Sequence, residues 1–202
     1  MYRIISLLLG YLFGGIQTAS MYSEIKGVDI RNEGSGNPGT TNVWRVMGSK
    51  AGITVFLGEL VKSIIPVVTS KLLFKKNKVI SALYATIGTI LGHSYPLFSK
   101  FKGGKGIAVT VGGIYMVNFP LGVITSVLFF TSLVITRMVS FSSLVMTGSI
   151  PFLLSKFFKG KSYKKEAVTL GTLISSITAY RHKANIKRII AGTEPKLKKK
   201  LK

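Results

Sequence analysis

Apolar residues run through this chain in stretches at about 4–22, 51–74, 79–98, 106–119, 120–136, 138–157 and 165–181, and lysines and arginines gather between them. No other feature constrains the fold as tightly. A helix of about 20 apolar residues crosses the hydrocarbon core of a bilayer, and a spanning backbone must satisfy its own polar groups, which selects helices or closed barrels. The pattern predicts an all-α, polytopic membrane protein: a compact bundle of about seven transmembrane helices, with five or six as alternatives. The shorter stretches can be tilted, re-entrant or buried against neighbours. Residues 1 to about 22 begin like a secretory leader, with Arg3 before an apolar core, but they lack a small-residue cleavage pattern and are long enough to span. They are read as the first transmembrane helix. Residues 1–195 are expected to form one transmembrane domain, followed by a basic cytoplasmic tail at 196–202.

Charge excludes several classes. The chain carries 28 Lys and Arg against 6 Asp and Glu, with 47% hydrophobic residues. Nucleic-acid binding would account for the charge but not for the apolar runs, so no nucleic-acid partner is expected. Membrane lipids are. Oligomeric state is left open, and a monomer is compatible. The chain has no cysteine, which removes thiol chemistry, and Asp29 is its single aspartate. Catalysis on carboxylate-bound metals needs several convergent carboxylates. With seven spans, the loops at 23–50 and 99–105, Arg137 and the tail from Arg181 share one side and hold 17 basic residues; the opposite side holds 10. By the positive-inside rule, the richer side and the C-terminus are cytoplasmic in the plasma (inner) membrane.

Three polar segments carry the chemistry. The first runs from Asp29 to Arg45 and gathers Gly34, Ser35, Gly36, Asn37, Gly39, Thr40, Thr41 and Asn42. It matches G-x-G-x-x-G formally, yet no βαβ context surrounds it. Its donors can still wrap a phosphate if a helix opening near Val43 points at them, and Arg45 can add a bidentate grip. The second, Gly92 to Gly106, contains His93, Lys100, Lys102, Gly103, Gly104 and Lys105. It is not a Walker A loop, because Ser99 stands where the first glycine belongs and Gly106 replaces the Ser/Thr. Glycines and lysines together suit an anionic oxygen cluster. In the third, His182, Asn185 and Arg188 recur every three residues, which places them on one helical face. Ile186, Ile189 and Ile190 are expected on the opposite, buried side. Gly192-Thr193-Glu194-Pro195 reads as a helix stop, with Glu194 pairing a basic residue.

Glu59 and Lys62 stand one turn apart inside the second span and should face the bundle interior, either as a self-neutralising packing pair or as part of a site. Acyltransferases that use coenzyme A commonly carry His-x-x-x-x-Asp; here Phe98 follows His93 and Lys187 follows His182 at that spacing. An anion transporter would line broken spans with polar residues, whereas here they gather at one membrane face.

Together the three segments resemble the motifs of the bacterial acyl-phosphate:glycerol-3-phosphate acyltransferases, the PlsY family. The first motif is similar to Gly34-Ser35-Gly36-Asn37-x-Gly39-x-Thr41-Asn42-x-x-Arg45. The second is similar to Gly92-His93-x-x-Pro96-x-Phe98 with Phe101-Lys102-Gly103-Gly104-Lys105-Gly106. The third resembles Arg181-His182-x-x-Asn185-Ile186-x-Arg188 with Gly192-Thr193-Glu194. Order and spacing agree over the whole chain. The chain departs from the family at Thr40, at Tyr95, at Gly14-Gly15-Ile16-Gln17 and at Glu59, none of which removes a motif residue. The resemblance implies seven helices with cytoplasmic motifs, an acyl-phosphate donor, and no coenzyme A, metal or other cofactor. It implies that Ser35, Gly36, Asn37, Thr41, Asn42 and Arg45 hold the donor phosphate. His93, Lys102, Gly103, Gly104 and Lys105 would hold glycerol 3-phosphate, with Arg188 as a further substrate contact. His182 and Asn185 would be the catalytic pair, with His182 acting either as base or as orienter. The expected product is 1-acyl-glycerol 3-phosphate (lysophosphatidic acid) plus phosphate, the first step of phosphatidic acid synthesis. Acyl phosphate is already activated, so orientation and charge neutralisation suffice without a covalent intermediate.

Overall fold

A computed structural model describes residues 1–197; residues 198–202, most of the expected basic tail, lie outside it. Among the described residues all regular structure is helical: α1 (Tyr2–Gly14), α2 (Thr18–Ile25), α3 (Thr40–Leu73), α4 (Lys78–Ser94), α5 (Ile107–Val117), α6 (Phe119–Thr136), α7 (Val139–Phe157), α8 (Lys164–Arg181) and α9 (Lys183–Ile190). Every apolar stretch carries a helix. Three segments are long and apolar enough to cross a bilayer: Tyr2–Ile25, Thr40–Leu73 and Phe119–Thr136. Two compact units form, one from Met1 to Phe119 and one beginning at Pro120.

In the first unit α1 packs along α4 through small residues. A methyl group at Gly10 would strike the Ala85 carbonyl oxygen and one at Gly14 that of Thr89; from the other side, Gly88 meets the Leu7 carbonyl and Gly92 that of Tyr11. Two small-xxx-small pairs, Gly10/Gly14 and Gly88/Gly92, therefore bring the two backbones into contact, the packing that membrane helices use in place of a hydrophobic driving force. Gly112 on α5 approaches α3 at Ser63, and Gly113 approaches α4 at Thr86.

Two expectations about this unit need correction. The first span is not one continuous helix: it breaks at Gly15-Ile16-Gln17 before α2 resumes at Thr18. The break releases backbone carbonyls, and Lys62 Nζ donates to that of Ile16 at 2.5 Å. The helix after the first loop opens at Thr40 rather than Val43, and it is interrupted at Gly48, whose φ of 85° and ψ of 179° are non-helical. Glu59 and Lys62 do face inward, at 1% and 4% exposure.

In the second unit α7 packs on α8, with Leu154, Ile150 and Ile174 fully buried. Ser142, Ser143 and Thr147 on α7 return their hydroxyls to carbonyls one turn back, at 3.0, 2.8 and 2.8 Å, which hides polar groups inside an apolar helix. After α9, Gly192 takes a φ of 70°. Thr193 N–H donates to the Arg188 carbonyl and Gly192 N–H to that of Ile189, at 2.8 and 3.1 Å. That pair of bonds is a Schellman stop, as the glycine there predicts.

Candidate active site

Loop one is built around Asn42. Its Oδ1 accepts the Ser35 N–H at 2.8 Å and Arg45 Nη1 at 3.4 Å. Its Nδ2 donates to the carbonyls of Ile30 and Glu33 at 3.2 and 2.9 Å. All four hydrogen-bonding positions of the amide are engaged, so Asn42 shapes the loop from inside and is itself buried. Gly34 explains its own identity: φ is +59°, and a side chain would collide with Asn42 Oδ1. Ser35, Gly36, Thr41 and Arg45 remain exposed around the start of α3, with Asn37 half-buried. One buried oxygen thus draws the Ser35 backbone and the Arg45 guanidinium together at a helix N-terminus, where N–H groups and the dipole favour an anion.

Loop two leaves α4 at Ser94 and enters α5 at Ile107. Lys100 and Phe101 both have positive φ, 51° and 58°, a conformation that costs free energy in residues with side chains. Gly103 and Gly104 lie buried against His93, and Gly104 N–H donates to the His93 carbonyl at 3.1 Å. Lys102 is exposed and Lys105 half-buried. The two loops meet: Arg31 Nη2 donates to the Lys102 carbonyl at 3.3 Å, and a methyl group at Gly104 would lie 2.9 Å from the Pro38 carbonyl oxygen.

The third motif belongs to the second unit. His182 and Asn185 are 2% and 6% exposed. His182 Nδ1 lies 2.9 Å from the Thr178 carbonyl oxygen. A carbonyl only accepts, so Nδ1 carries the proton and Nε2 the lone pair. Glu194 Oε1 accepts from Ser140 Oγ at 2.6 Å and Asn185 Nδ2 at 2.7 Å, while Oε2 accepts from Arg188 Nε at 2.8 Å. Burial pushes the Glu194 carboxyl up, but hydrogen bonds from Ser140, Asn185 and Arg188, with the Arg188 charge, outweigh it and hold it below its ordinary 4.5. The pairing of Glu194 with a base was legible; Ser140 was not, since a serine in an apolar run carries no signal of its own.

The expected buried isoleucine face of α9 is overturned. Ile190 is 81% exposed and Ile186 and Ile189 are half-buried, while His182 and Asn185 are the buried residues. In water the apolar side of a helix turns inward. At a membrane interface it turns to lipid, and the polar side is buried against protein.

Helices long and apolar enough to cross a bilayer, joined by glycine-rich loops that expose lysine and arginine, define the class as an integral membrane protein. Residues 4–192 match the glycerol-3-phosphate acyltransferase family model, and the chain belongs to that family. It is 43% identical over 193 residues to the glycerol-3-phosphate acyltransferase of Bacillus subtilis (strain 168), covering 95% of this chain and 96% of that one. Against the protein of the same name from Thermoanaerobacter sp. (strain X514) the identity is 39% over 202 residues, covering 99% and 98%. The fold is similar to the crystal structure of PlsY (YgiH), an integral membrane glycerol 3-phosphate acyltransferase, in its glycerol 3-phosphate form. The TM-score is 0.88 at 31% identity, covering 98% of this chain and 96% of that one. A second form of that protein, with lysophosphatidic acid, gives a TM-score of 0.86 at 30% identity, with the same coverage.

Proposed function

We propose that this acyltransferase moves a fatty acyl group from acyl phosphate to a hydroxyl of glycerol 3-phosphate. The new ester bond forms as the acyl–phosphate bond breaks, the hydroxyl proton passes to the departing phosphate or to a base, and 1-acyl-glycerol 3-phosphate and inorganic phosphate are released. One observation carries the reading: two glycine-rich loops, each with an exposed cation, Arg45 in one and Lys102 in the other, meet at Arg31–Lys102 and Pro38–Gly104 within one unit. Two phosphorylated substrates need two such cradles. Loop one, through Ser35, Gly36, Asn37, Thr41 and Arg45, holds the donor phosphate, and Asn42 gives the loop its shape. Loop two, through Lys102, Gly103, Gly104 and Lys105 on the His93 platform, holds glycerol 3-phosphate.

The third motif supplies acceptors. With Nδ1–H committed to Thr178, Nε2 is the nitrogen of His182 that can accept from a hydroxyl. With Nδ2 committed to Glu194, the Asn185 amide oxygen takes the same role. Arg188 anchors Glu194 and adds positive charge. Neither residue has to form a covalent intermediate, because acyl phosphate already carries a good leaving group. The cation distribution supports a cytoplasmic position at the plasma membrane for the loops and the C-terminus, where both water-soluble glycerol 3-phosphate and the leaflet are within reach. Incubating purified protein with acyl phosphate and labelled glycerol 3-phosphate and extracting the lysolipid tests the reading; no labelled lysolipid would reject it.

A further inference from the structure

Inside the first unit one buried polar cluster lies beneath the second loop and shares His93 with it. Glu59 and Lys62 on α3 and His93 on the last turn of α4 are 1%, 4% and 4% exposed. Lys62 Nζ lies 2.9 Å from Glu59 Oε2, 3.0 Å from His93 Nδ1 and 2.5 Å from the Ile16 carbonyl oxygen in the break between α1 and α2. His93 Nδ1 also lies 3.0 Å from Glu59 Oε2. Ammonium, carboxylate and imidazole meet at one buried point beside the Ile16 carbonyl. Nδ1 of His93 thus stands between the ammonium and the carboxylate, and Nε2 lies at the other end of the ring.

That other end abuts the second loop. A side chain at Gly104 would strike His93 Nε2, and one at Gly103 would strike the His93 carbonyl. Gly104 N–H donates to this carbonyl at 3.1 Å, and Gln17 Nε2 does so at 3.4 Å. The Gly103-Gly104 backbone therefore rests on a histidine whose ring is gripped from below by an ion pair. If packing alone were required, apolar side chains of similar volume would serve as well, since replacing a buried ion pair in that way is often neutral for stability. The polar groups of this pair are directed instead at the His93 ring and at the α1 break.

We infer that Glu59 and Lys62, deep in the membrane-spanning α3, are positioning residues for the phosphorylated acceptor: through His93 they set where the Gly103-Gly104 backbone stands, and hence how tightly glycerol 3-phosphate is held. The inference rests on the reading that loop two holds glycerol 3-phosphate. Neither residue touches substrate. Their effect reaches it through one ring and one turn of backbone, so it is predicted in acceptor affinity rather than in turnover.

The test uses the purified full chain in detergent, palmitoyl phosphate as donor, and three variants. Gly104→Ala, which drives a methyl group into the His93 ring, is expected to raise the KM for glycerol 3-phosphate; no change there removes the reading of loop two, and the inference with it. With that result in hand, Glu59→Leu/Lys62→Met is expected to raise the same KM about tenfold, the scale of one charge-assisted contact, with kcat and the donor KM little changed. Glu59→Gln should act in the same direction. The chain has two histidines, so ¹⁵N-histidine NMR reports both rings. In the double variant only the His93 pattern should shift. An unchanged acceptor KM in a folded double variant, a parallel loss of kcat and both KM values, or His93 signals that do not move in the double variant would overturn the inference. So would failure of both variants to fold, which would make the cluster a packing element.

Discussion

Glu194 holds the Asn185 amide at 2.7 Å across the turn that ends α9, so the carboxylate just past the helix stop also orients the Asn185 side chain. The Glu194 carboxyl is held below 4.5 in the folded chain. A carboxylate with a depressed folded pKa stabilises the fold above its unfolded value, and that contribution is lost as pH falls through the folded one. Glu194→Gln should therefore lower Tm at neutral pH, with the gap to wild type closing below about pH 4.5. Thermal unfolding in detergent between neutral pH and pH 3 checks this; a gap independent of pH would mean that the charge is not what holds the turn.

His182 presents Nε2 as an acceptor, because Thr178 fixes the proton on Nδ1. Removing that acceptor should lower kcat by roughly 10²–10⁴-fold if it moves a proton, and by about tenfold if it only orients the hydroxyl. His182→Ala and His182→Asn should both fall within that range, and an acidic limb of the wild-type kcat profile that is missing in His182→Asn would assign His182 the role of base rather than orienter. Lys183→Ala, on the exposed side of α9, should change little. Full activity in His182→Ala would remove the residue from the site.

The two loops should separate kinetically. Lys105→Ala should raise mainly the KM for glycerol 3-phosphate, and Ser35→Ala or Arg45→Ala should damage mainly donor use, each by about ten- to a hundredfold. Equal shifts in both KM values for all three variants would contradict separate cradles.

Close packing of α1 on α4 makes a stability prediction that is independent of the chemistry. Gly88→Ala pushes a methyl group into the Leu7 carbonyl of α1 and should cost about 1–3 kcal/mol, as overpacking typically does. Gly148→Ala on α7 meets nothing within 4 Å and should be neutral or slightly stabilising. Unfolding of the two variants side by side decides it.

What was legible in advance follows from how each signal arises. Apolar stretches announced the helices because a bilayer demands about 20 such residues whatever they pack against. Glycine, lysine and amide clusters announced the loops because anion cradles need those groups close in sequence. Contacts between distant segments left no such trace. Nothing local ties Glu59 to His93, or Ser140 to Glu194, and the Gly10/Gly14 and Gly88/Gly92 pairs gain meaning only when set against each other. The break at Gly15-Ile16-Gln17 was hidden inside an apolar run, since the lysine that satisfies its carbonyl lies on another helix. The isoleucines of α9 follow the rule for a lipid interface and not the rule for water, and nothing in their spacing separates the two.

The donor is the central claim, and one experiment addresses it. Purified protein in detergent with EDTA present is given labelled glycerol 3-phosphate and either acyl phosphate or acyl-coenzyme A. Labelled 1-acyl-glycerol 3-phosphate should form with acyl phosphate, undiminished by the chelator, and not with acyl-coenzyme A. Robust transfer from acyl-coenzyme A, or activity lost to EDTA and restored by a divalent cation, would contradict the account.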